Sequence, residues 1–263
     1  MDALLSDKRW SRRQLLKGLF NGGAALATAG VAQATVVEPE WLKIEKHRVG
    51  SGDLGVRFAQ ITDLHFHRPN SLLKEVVESV RALKPEFICF TGDLVEKRHE
   101  LPGAVEFLKA LDCPIFGIPG NHDRTSRVSD TEFREAFASC GGMWLVNQVV
   151  QPTSKNICLL GYAHFLGNLG RVPEHFNVAM FHYPAWARRI RGLQADLALA
   201  GHSHGGQVRL PVIGAVITPR DTDGYEMGWY QTPVGPLYVN PGLGYTGIDL
   251  RFRCRPELTL FEV

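Results

Sequence analysis

Three short apolar runs, each followed by a polar tip, constrain the fold of this 263-residue chain more than any other feature. The runs span 56–61, 87–90 and 114–118. The middle run is wholly apolar, as expected of a strand that is buried on both faces. Amphipathic segments at helical spacing separate the runs and predict helices over 71–83 and 103–111. Because ligands gather at the carboxyl ends of the strands in open α/β sheets, the placement of the tips indicates a site.

The pattern changes beyond residue 142, after a further predicted helix over 131–139. Shorter β-rich segments follow, punctuated by Gly and Pro. Six strands are predicted there, over 157–160, 178–181, 197–200, 207–210, 237–239 and 258–261. We therefore expect an α/β fold with a mixed sheet core and outer helices.

The polar tips combine carboxylate, imidazole and amide groups. In an extended segment, residues i and i+2 point to the same side, so both side chains of a D-x-H or H-x-H pair can reach one metal ion. This donor set suits Mn, Fe or Zn better than Ca, which prefers oxygen ligands. Each tip alone is compatible with a turn, a surface pair or a core histidine, whereas five in order predict a metal site. The tips are Asp63-x-His65, Gly92-Asp93, Gly120-Asn121-His122-Asp123, His182 and Gly201-His202-Ser203-His204.

These motifs together resemble the calcineurin-like metallophosphoesterase superfamily. Its pattern is D-x-H, G-D, G-N-H-[DE], a lone His and G-H-x-H, and every part is present between Asp63 and His204. The resemblance implies a four-layer α/β/β/α sandwich, with two mixed sheets face to face and helices outside. It also implies two divalent metal ions, Mn, Fe or Zn, and a metal-bound hydroxide that attacks the phosphoester.

The resemblance implies a role for each residue of the motifs. His122 would lie beside the scissile phosphate and stabilise or protonate the leaving oxygen, and Asp123 would orient His122. Asp93 would bridge the two metal ions. One ion would be held by Asp63, His65 and His204, and the other by Asn121, His182 and His202.

Two segments, 201–211 and 253–260, further resemble a bacterial branch of exported or membrane-associated phosphoesterases. That branch includes a UDP-2,3-diacylglucosamine pyrophosphatase of lipid A synthesis. The expected substrate is therefore a small phosphoester or a lipid-linked nucleotide, cleaved at a phosphodiester or pyrophosphate bond. A catalytically silent metal- or lipid-binding protein is the alternative. A metal-dependent amidohydrolase is a further alternative; it would need a carbamylated or metal-bound Lys, for which the motifs offer no candidate.

Residues 1–34 are predicted to be an export signal. Ser11-Arg12-Arg13-Gln14-Leu15-Leu16-Lys17 precedes an uncharged Gly/Ala-rich stretch and Ala32-Gln33-Ala34. This order resembles a twin-arginine signal and predicts export by that machinery to the periplasm or the outer face of the cytoplasmic membrane. An amphipathic N-terminal helix is the alternative, and cleavage is left open. Residues 35–50 would form a linker or N-terminal extension, and 51–263 the phosphoesterase domain.

The charge balance of the chain outside the leader limits its possible partners. Outside the leader, 24 Lys and Arg face 25 Asp and Glu, so no nucleic-acid surface is evident. Five cysteines are scattered; Cys89 and Cys158 are expected in the core, and a disulfide is left open. The loop 165–169 is the candidate for peripheral membrane contact, and packing on its own domain is the alternative.

Overall fold

The computed structural model describes residues 30–263, so nearly all of the predicted export signal lies outside the described residues. The helices are α1 (Ser71–Leu83), α2 (Leu101–Ala110), α3 (Asn121–Thr125), α4 (Asp130–Ala138) and α5 (Trp186–Arg189). The strands are β1 (Lys43–Arg48), β2 (Arg57–Ile61), β3 (Phe87–Phe90), β4 (Ile115–Gly117), β5 (Met143–Trp144), β6 (Gln148–Val150), β7 (Ile157–Tyr162), β8 (Phe176–Phe181), β9 (Leu197–Ala200), β10 (Arg209–Leu210), β11 (Gly214–Ala215), β12 (Gly228–Thr232), β13 (Gly235–Val239) and β14 (Glu257–Glu262).

Two six-stranded sheets form the centre of the molecule, in the orders β1-β14-β2-β3-β4-β5 and β12-β13-β9-β8-β7-β6. Both are mixed. In the first sheet, β2 to β5 run parallel and β14 is antiparallel to β2. In the second, β7, β8, β9 and β13 are parallel, with antiparallel β6 and β12 at its edges. The predicted pair of mixed sheets is confirmed.

The two sheets pack face to face, as the alternation along β8 shows. Val178 and Met180 belong to the core between the sheets, together with Phe58 of the first sheet. Ala179 and Phe181 point the other way, into the core outside the second sheet. Successive side chains of a strand face opposite sides, so one wholly apolar strand contributes to two cores.

The outer layers differ in how they cover their sheets. The first sheet is covered by α1, α2 and α4, which bury Val76, Leu108 and Phe137 in one apolar core. On the second sheet the cover consists of the four-residue α5 and irregular segments that carry Leu193 and Tyr225. Within the described part of the chain, the second helical layer is therefore mostly loop.

Three local expectations need correction. The predicted linker 35–50 contains β1, which pairs in parallel with β14 as an edge strand. Its sequence of mostly charged residues lacks apolar alternation because an edge strand has one neighbour and faces solvent. Helix α1 is capped by Asn70, whose Oδ1 accepts from Leu73 N at 2.9 Å, and not by Ser71. The strand predicted over 207–210 joins neither large sheet: β10 pairs with β11 in a separate two-stranded sheet, and Val208 forms an isolated bridge with Phe252.

Two further findings concern the whole described chain. No helix within residues 30–263 is long and apolar enough to cross a membrane. All five cysteines are free thiols, and Cys89 and Cys158 are buried as expected.

Candidate metal centre

The predicted ligands lie at the ends of strands, on turns of unusual backbone conformation. In the first sheet the turns are tied together, since Asp63 N donates to Gly92 O at 2.9 Å and His65 N to Asp93 O at 3.1 Å. Left-handed backbone is unfavourable for residues with a Cβ, although Asp, Asn and His tolerate it best. Five ligands adopt it: Asp63 (φ 50°), His65 (φ 42°), Asp93 (φ 59°), His202 (φ 68°) and His204 (φ 49°).

Close packing of the tips requires glycine at two positions. Gly92 has φ +101°, and a Cβ there would lie 2.6 Å from His182 Nδ1. At Gly120 a Cβ would collide with the Asp93 carboxylate. Both glycines permit the backbone to approach a ligand side chain that a larger residue would displace.

One group of donors, the Asp63 position, consists of Asp63, His65 and His204. His65 Nε2 lies 3.2 Å from His204 Nε2, which in turn lies 3.5 Å from Asp63 Oδ1. All three residues are buried. Asp63 is held in place by the backbone N of His202, 2.9 Å from its Oδ2.

A second group, the Asn121 position, consists of Asn121, His182 and His202. His182 Nε2 lies 3.0 Å from Asn121 Oδ1 and 3.2 Å from His202 Nδ1. Asp93 Oδ2 lies between the two positions, 3.3 Å from His182 Nε2 and 3.7 Å from His65 Nε2. The structure thus brings all seven predicted ligands together, with Asp93 shared.

The donor spacing fits divalent metal ions. Ligands bonded at about 2.1 Å to one ion lie about 3.0–3.4 Å apart in tetrahedral or octahedral geometry. Most of the distances within each position fall in or near that range. His204 Nδ1 is also buried without a hydrogen-bond partner.

Three of the four histidines are held so that a lone pair faces the centre. His65 Nδ1 lies 3.1 Å from Glu96 Oε1, and His182 Nδ1 lies 2.8 Å from Thr91 O. His202 Nε2 lies 2.7 Å from Arg220 O. A carbonyl or carboxylate oxygen can only accept, so each of these ring nitrogens carries the proton. The opposite nitrogen, which faces the centre, is then free to bind a metal.

The electrostatics of the centre follow from burial and mutual charge. Burial disfavours the Asp93 carboxylate, but His182 and His65 outweigh it and hold its pKa below the usual range. Burial likewise opposes a charge on His182, yet Asp93 raises its pKa to about 9. Burial and the nearby His182 lower the pKa of His202 to about 4. Binding of cations here therefore competes with protons on the same side chains.

His122 is the half-exposed member of the centre, with 30% of its side chain accessible. Its backbone N donates to Asp93 Oδ1 at 2.8 Å, and its ring packs edge-on against the His65 ring, with centroids 4.7 Å apart. An imidazole that reaches solvent beside buried ligands is placed to meet a bound phosphoester.

Asp123 does not orient His122, contrary to expectation. Its carboxylate accepts hydrogen bonds from four backbone amides, of Asp93, Leu94, Val95 and Gly120, at 2.8–3.3 Å. Adjacent residues on a helix point in different directions, so Asp123 turns inward where His122 turns outward. The structure thus uses Asp123 to fix the turn that presents Asp93.

Two supporting residues were missed by the sequence analysis. Glu96 holds the His65 ring and lies 3.7 Å from His122 Nδ1. Its place three residues after Asp93 was the available signal. Arg251 is fully buried, and its guanidinium donates to carbonyls of the loop 241–244. No sequence motif distinguishes it.

The loop 241–244, which Arg251 holds, packs against the backbone of Asp63. Gly244 N donates to Asp63 O at 2.7 Å, and Leu243 N donates to Thr62 O at 3.1 Å. A Cβ at Gly242 would lie 2.7 Å from the Asp63 Cβ. The loop therefore fixes the backbone from which the Asp63 carboxylate projects.

The loop 165–169, suggested for membrane contact, is only partly exposed. Phe165 and Leu169 pack against the core outside the second sheet, while Leu166 is 74% exposed. Most of its apolar surface is thus used within the domain.

Known proteins share similarity with this chain over most of its length. The family model of the calcineurin-like phosphoesterases matches residues 56–206. The chain is 32% identical to the uncharacterized metallophosphoesterase YkuE of Bacillus subtilis, over 97% of this chain and 98% of that protein. It is 28% identical to phosphodiesterase YaeI of Escherichia coli, over 96% and 99% of the two chains. It is 25% identical to UDP-2,3-diacylglucosamine pyrophosphatase LpxG of Chlamydia trachomatis, over 79% and 83%. The chain is therefore a member of the calcineurin-like phosphoesterase family of metal-dependent hydrolases.

Proposed function

We propose that this chain is a dinuclear phosphodiesterase or pyrophosphatase in which Asp93 is shared by the Asp63 and Asn121 positions. The observation that carries the proposal is the orientation of the imidazoles. Protein oxygens hold the outer nitrogens of His65, His182 and His202, so their lone pairs converge on the shared carboxylate. Lone pairs of these three buried histidines that face a carboxylate would be unfavourable unless cations lay between them.

Two bound divalent cations would clamp the phosphoryl oxygens and supply an activated water. The chain itself provides the orientation. Asp63 and Asp93 bring negative charge that offsets the cations. His122, on the solvent side, would donate a proton to the leaving oxygen. Glu96, 3.7 Å from His122 Nδ1, would hold that ring toward the substrate.

We further propose that the substrate carries an apolar portion. A cavity of about 370 Å³ adjoins the centre, since the ligand His65 is part of its lining. Its lining combines apolar Phe66 and Leu72 with polar Tyr245 and with the charged Arg68, Glu40 and Asp249. Apolar walls with a few placed polar groups are typical of small-molecule sites, so this cavity would accept the apolar portion of a ligand. Since LpxG is named for a pyrophosphatase activity on UDP-2,3-diacylglucosamine, that lipid-linked nucleotide is the first natural substrate to test.

We propose export for the protein on the strength of the leader alone. The paired Arg12 and Arg13 within Ser11–Lys17 support the twin-arginine route to the periplasm or the outer face of the cytoplasmic membrane. Fusion of residues 1–34 to a folded reporter should deliver the reporter to the periplasm, and Arg12→Lys with Arg13→Lys should retain it in the cytoplasm. Equal export of both fusions would contradict this proposal.

The enzymatic proposal is tested with metal-stripped protein that is refilled with Mn or Zn. We expect turnover of bis-p-nitrophenyl phosphate to return with metal and to exceed turnover of p-nitrophenyl phosphate. Asp93→Ala serves as the inactive control. Two bound equivalents without turnover of either ester or of UDP-2,3-diacylglucosamine would contradict the proposal and leave a binding protein.

A further inference from the structure

An apolar hairpin projects from the molecule next to the metal centre. We call residues 210–217 the apolar hairpin; they include part of β10, the turn and β11. Large aliphatic side chains scattered singly over a surface are normal, but a contiguous group marks an interaction surface. Five are exposed in this short segment: Leu210 (40%), Val212 (108%), Ile213 (73%), Val216 (52%) and Ile217 (77%).

The base of the apolar hairpin is firmly attached to the domain. Arg209 N donates to Phe252 O at 2.9 Å, and Val216 N donates to Val208 O at 3.0 Å. The Arg209 side chain donates to Gly205 O and to Glu226 Oε2, both at 2.8 Å. The exposed side chains are therefore held outward by hydrogen-bonded structure.

Two exposed arginines lie near the apolar hairpin. The segment 208–220 contains Arg209, which is paired with Glu226, and Arg220, which directly precedes Asp221; Arg253 is exposed on the adjoining segment. Neither Arg220 nor Arg253 forms an ion pair with another residue of the described chain. Asp223 and Asp249 add exposed negative charges in the neighbouring segments, and Asp221 is paired with Arg189. An apolar tip with arginines around it suits an anionic lipid surface, which offers hydrocarbon below a layer of phosphates.

A neighbouring loop extends the same surface. Ile248 is 67% exposed, and its carbonyl accepts from Gln207 Nε2 at 3.3 Å. Gln207 Oε1 also accepts from Thr246 N at 2.7 Å. Gln207 thus joins this loop to the base of the apolar hairpin, so both can meet one surface.

The apolar hairpin is coupled to the metal centre through the chain. It follows His204 by six residues, and it precedes Arg220, whose carbonyl holds His202 Nε2 at 2.7 Å. A surface that receives the hairpin would therefore lie close to the reacting centre. A second copy of this chain is disfavoured as the occupant, because a two-fold contact would bring identical arginines together.

We propose that the apolar hairpin docks on an anionic lipid surface and so presents the metal centre to phosphoesters carried by lipids. The choice of a lipid-borne substrate rests on the proposed function; the docking itself does not.

The test is co-sedimentation of the full-length, metal-loaded protein with vesicles of phosphatidylcholine, with and without phosphatidylglycerol. We expect binding to the anionic vesicles, and at least a tenfold loss of partitioning in a triple variant, Val212→Ser, Ile213→Ser and Ile217→Ser. The matched control, Leu166→Ser with Val149→Ser, removes exposed apolar groups elsewhere and should bind as wild type. Arg253→Gln should weaken binding to anionic vesicles only.

Hydrolysis of soluble bis-p-nitrophenyl phosphate and metal content report whether the triple variant is folded, and both should be unchanged. All of these proteins carry the export leader, so a difference in vesicle binding between them is due to the substituted residues. Binding of the triple variant equal to that of the wild type would therefore overturn the proposal. Hairpin-dependent self-association in light scattering, without vesicle binding, would also overturn it and assign the surface to a second copy. If the protein binds vesicles but has no phosphoesterase activity, the docking proposal is supported and the proposed function is refuted.

Discussion

The Asp63 and Asn121 positions share Asp93 but are supported in different ways. At the Asn121 position, the outer nitrogens of His182 and His202 meet backbone carbonyls, of Thr91 and Arg220. At the Asp63 position, the outer nitrogen of His65 meets the side chain of Glu96, and His204 Nδ1 has no partner among the described residues. One position is therefore fixed by the main chain, and the other depends on replaceable side chains.

Because their supports differ, we expect the two positions to respond differently to mutation. A backbone carbonyl persists through any substitution, whereas a supporting carboxylate or guanidinium can be removed. The Asp63 position also relies on the loop 241–244, which is held by the buried Arg251. We therefore expect the Asp63 position to lose metal first when supporting residues are changed.

The largest effect is expected for the shared residue. Asp93→Ala should lose metal from both positions and abolish hydrolysis, because the bridging carboxylate lies within 3.7 Å of histidines of each group. Asp63→Ala and His182→Ala should each weaken mainly one position. Metal content by elemental analysis distinguishes them, and two retained equivalents in Asp93→Ala would refute the bridge.

A smaller effect, on chemistry alone, is expected for His122. His122→Ala should lower turnover of an ester with a poor leaving group by about 10²–10³-fold and affect a nitrophenyl ester less, since general acid catalysis aids departure of a basic oxygen. Both metal positions should remain filled. The control is His175→Ala, at a partly buried histidine far from His122 in the chain. Wild-type turnover by His122→Ala of the ester with the poor leaving group would contradict the role of His122 as the proton donor.

Arg251→Met should destabilise the fold and weaken the Asp63 position. The guanidinium donates to carbonyls of Pro241, Gly242, Gly244 and Cys254, and Met would leave them unpaired in a buried setting. We expect a loss of about 3 kcal/mol in the free energy of unfolding. Denaturant titration measures it, with exposed Arg253→Met as the control. Equal metal loss at both positions would contradict the link to Asp63.

The smallest effect should follow from Glu96→Gln. The amide still reaches His65 but is a weaker acceptor, so metal affinity at the Asp63 position should fall by about 10–100-fold while the Asn121 position is unchanged. Chelator competition measures each position, and exposed Glu75→Gln on α1 is the matched control. A loss of metal affinity at the Asn121 position alone would contradict the expected difference between the two positions.

Much of the fold was predictable because buried strands leave a local signature. The runs 87–90 and 197–200 were predicted with the bounds that the structure has, since a strand covered on both faces is continuously apolar. Edge strands gave no such signal. β1 is polar, and the predicted strand at 207–210 leads into the apolar hairpin instead of joining a large sheet.

The sequence by itself determined which residues could bind metal, because each ligand sits in a short motif that local backbone geometry can present. Only the tertiary structure decided what supports them. Asp123 binds four amides of the strand-end turns instead of the neighbouring ring, and Glu96 and Arg251 act through contacts that no local pattern encodes. Ligand identity depends on chemistry that a motif carries, whereas orientation depends on partners that are distant in the chain and meet only when the two sheets pack.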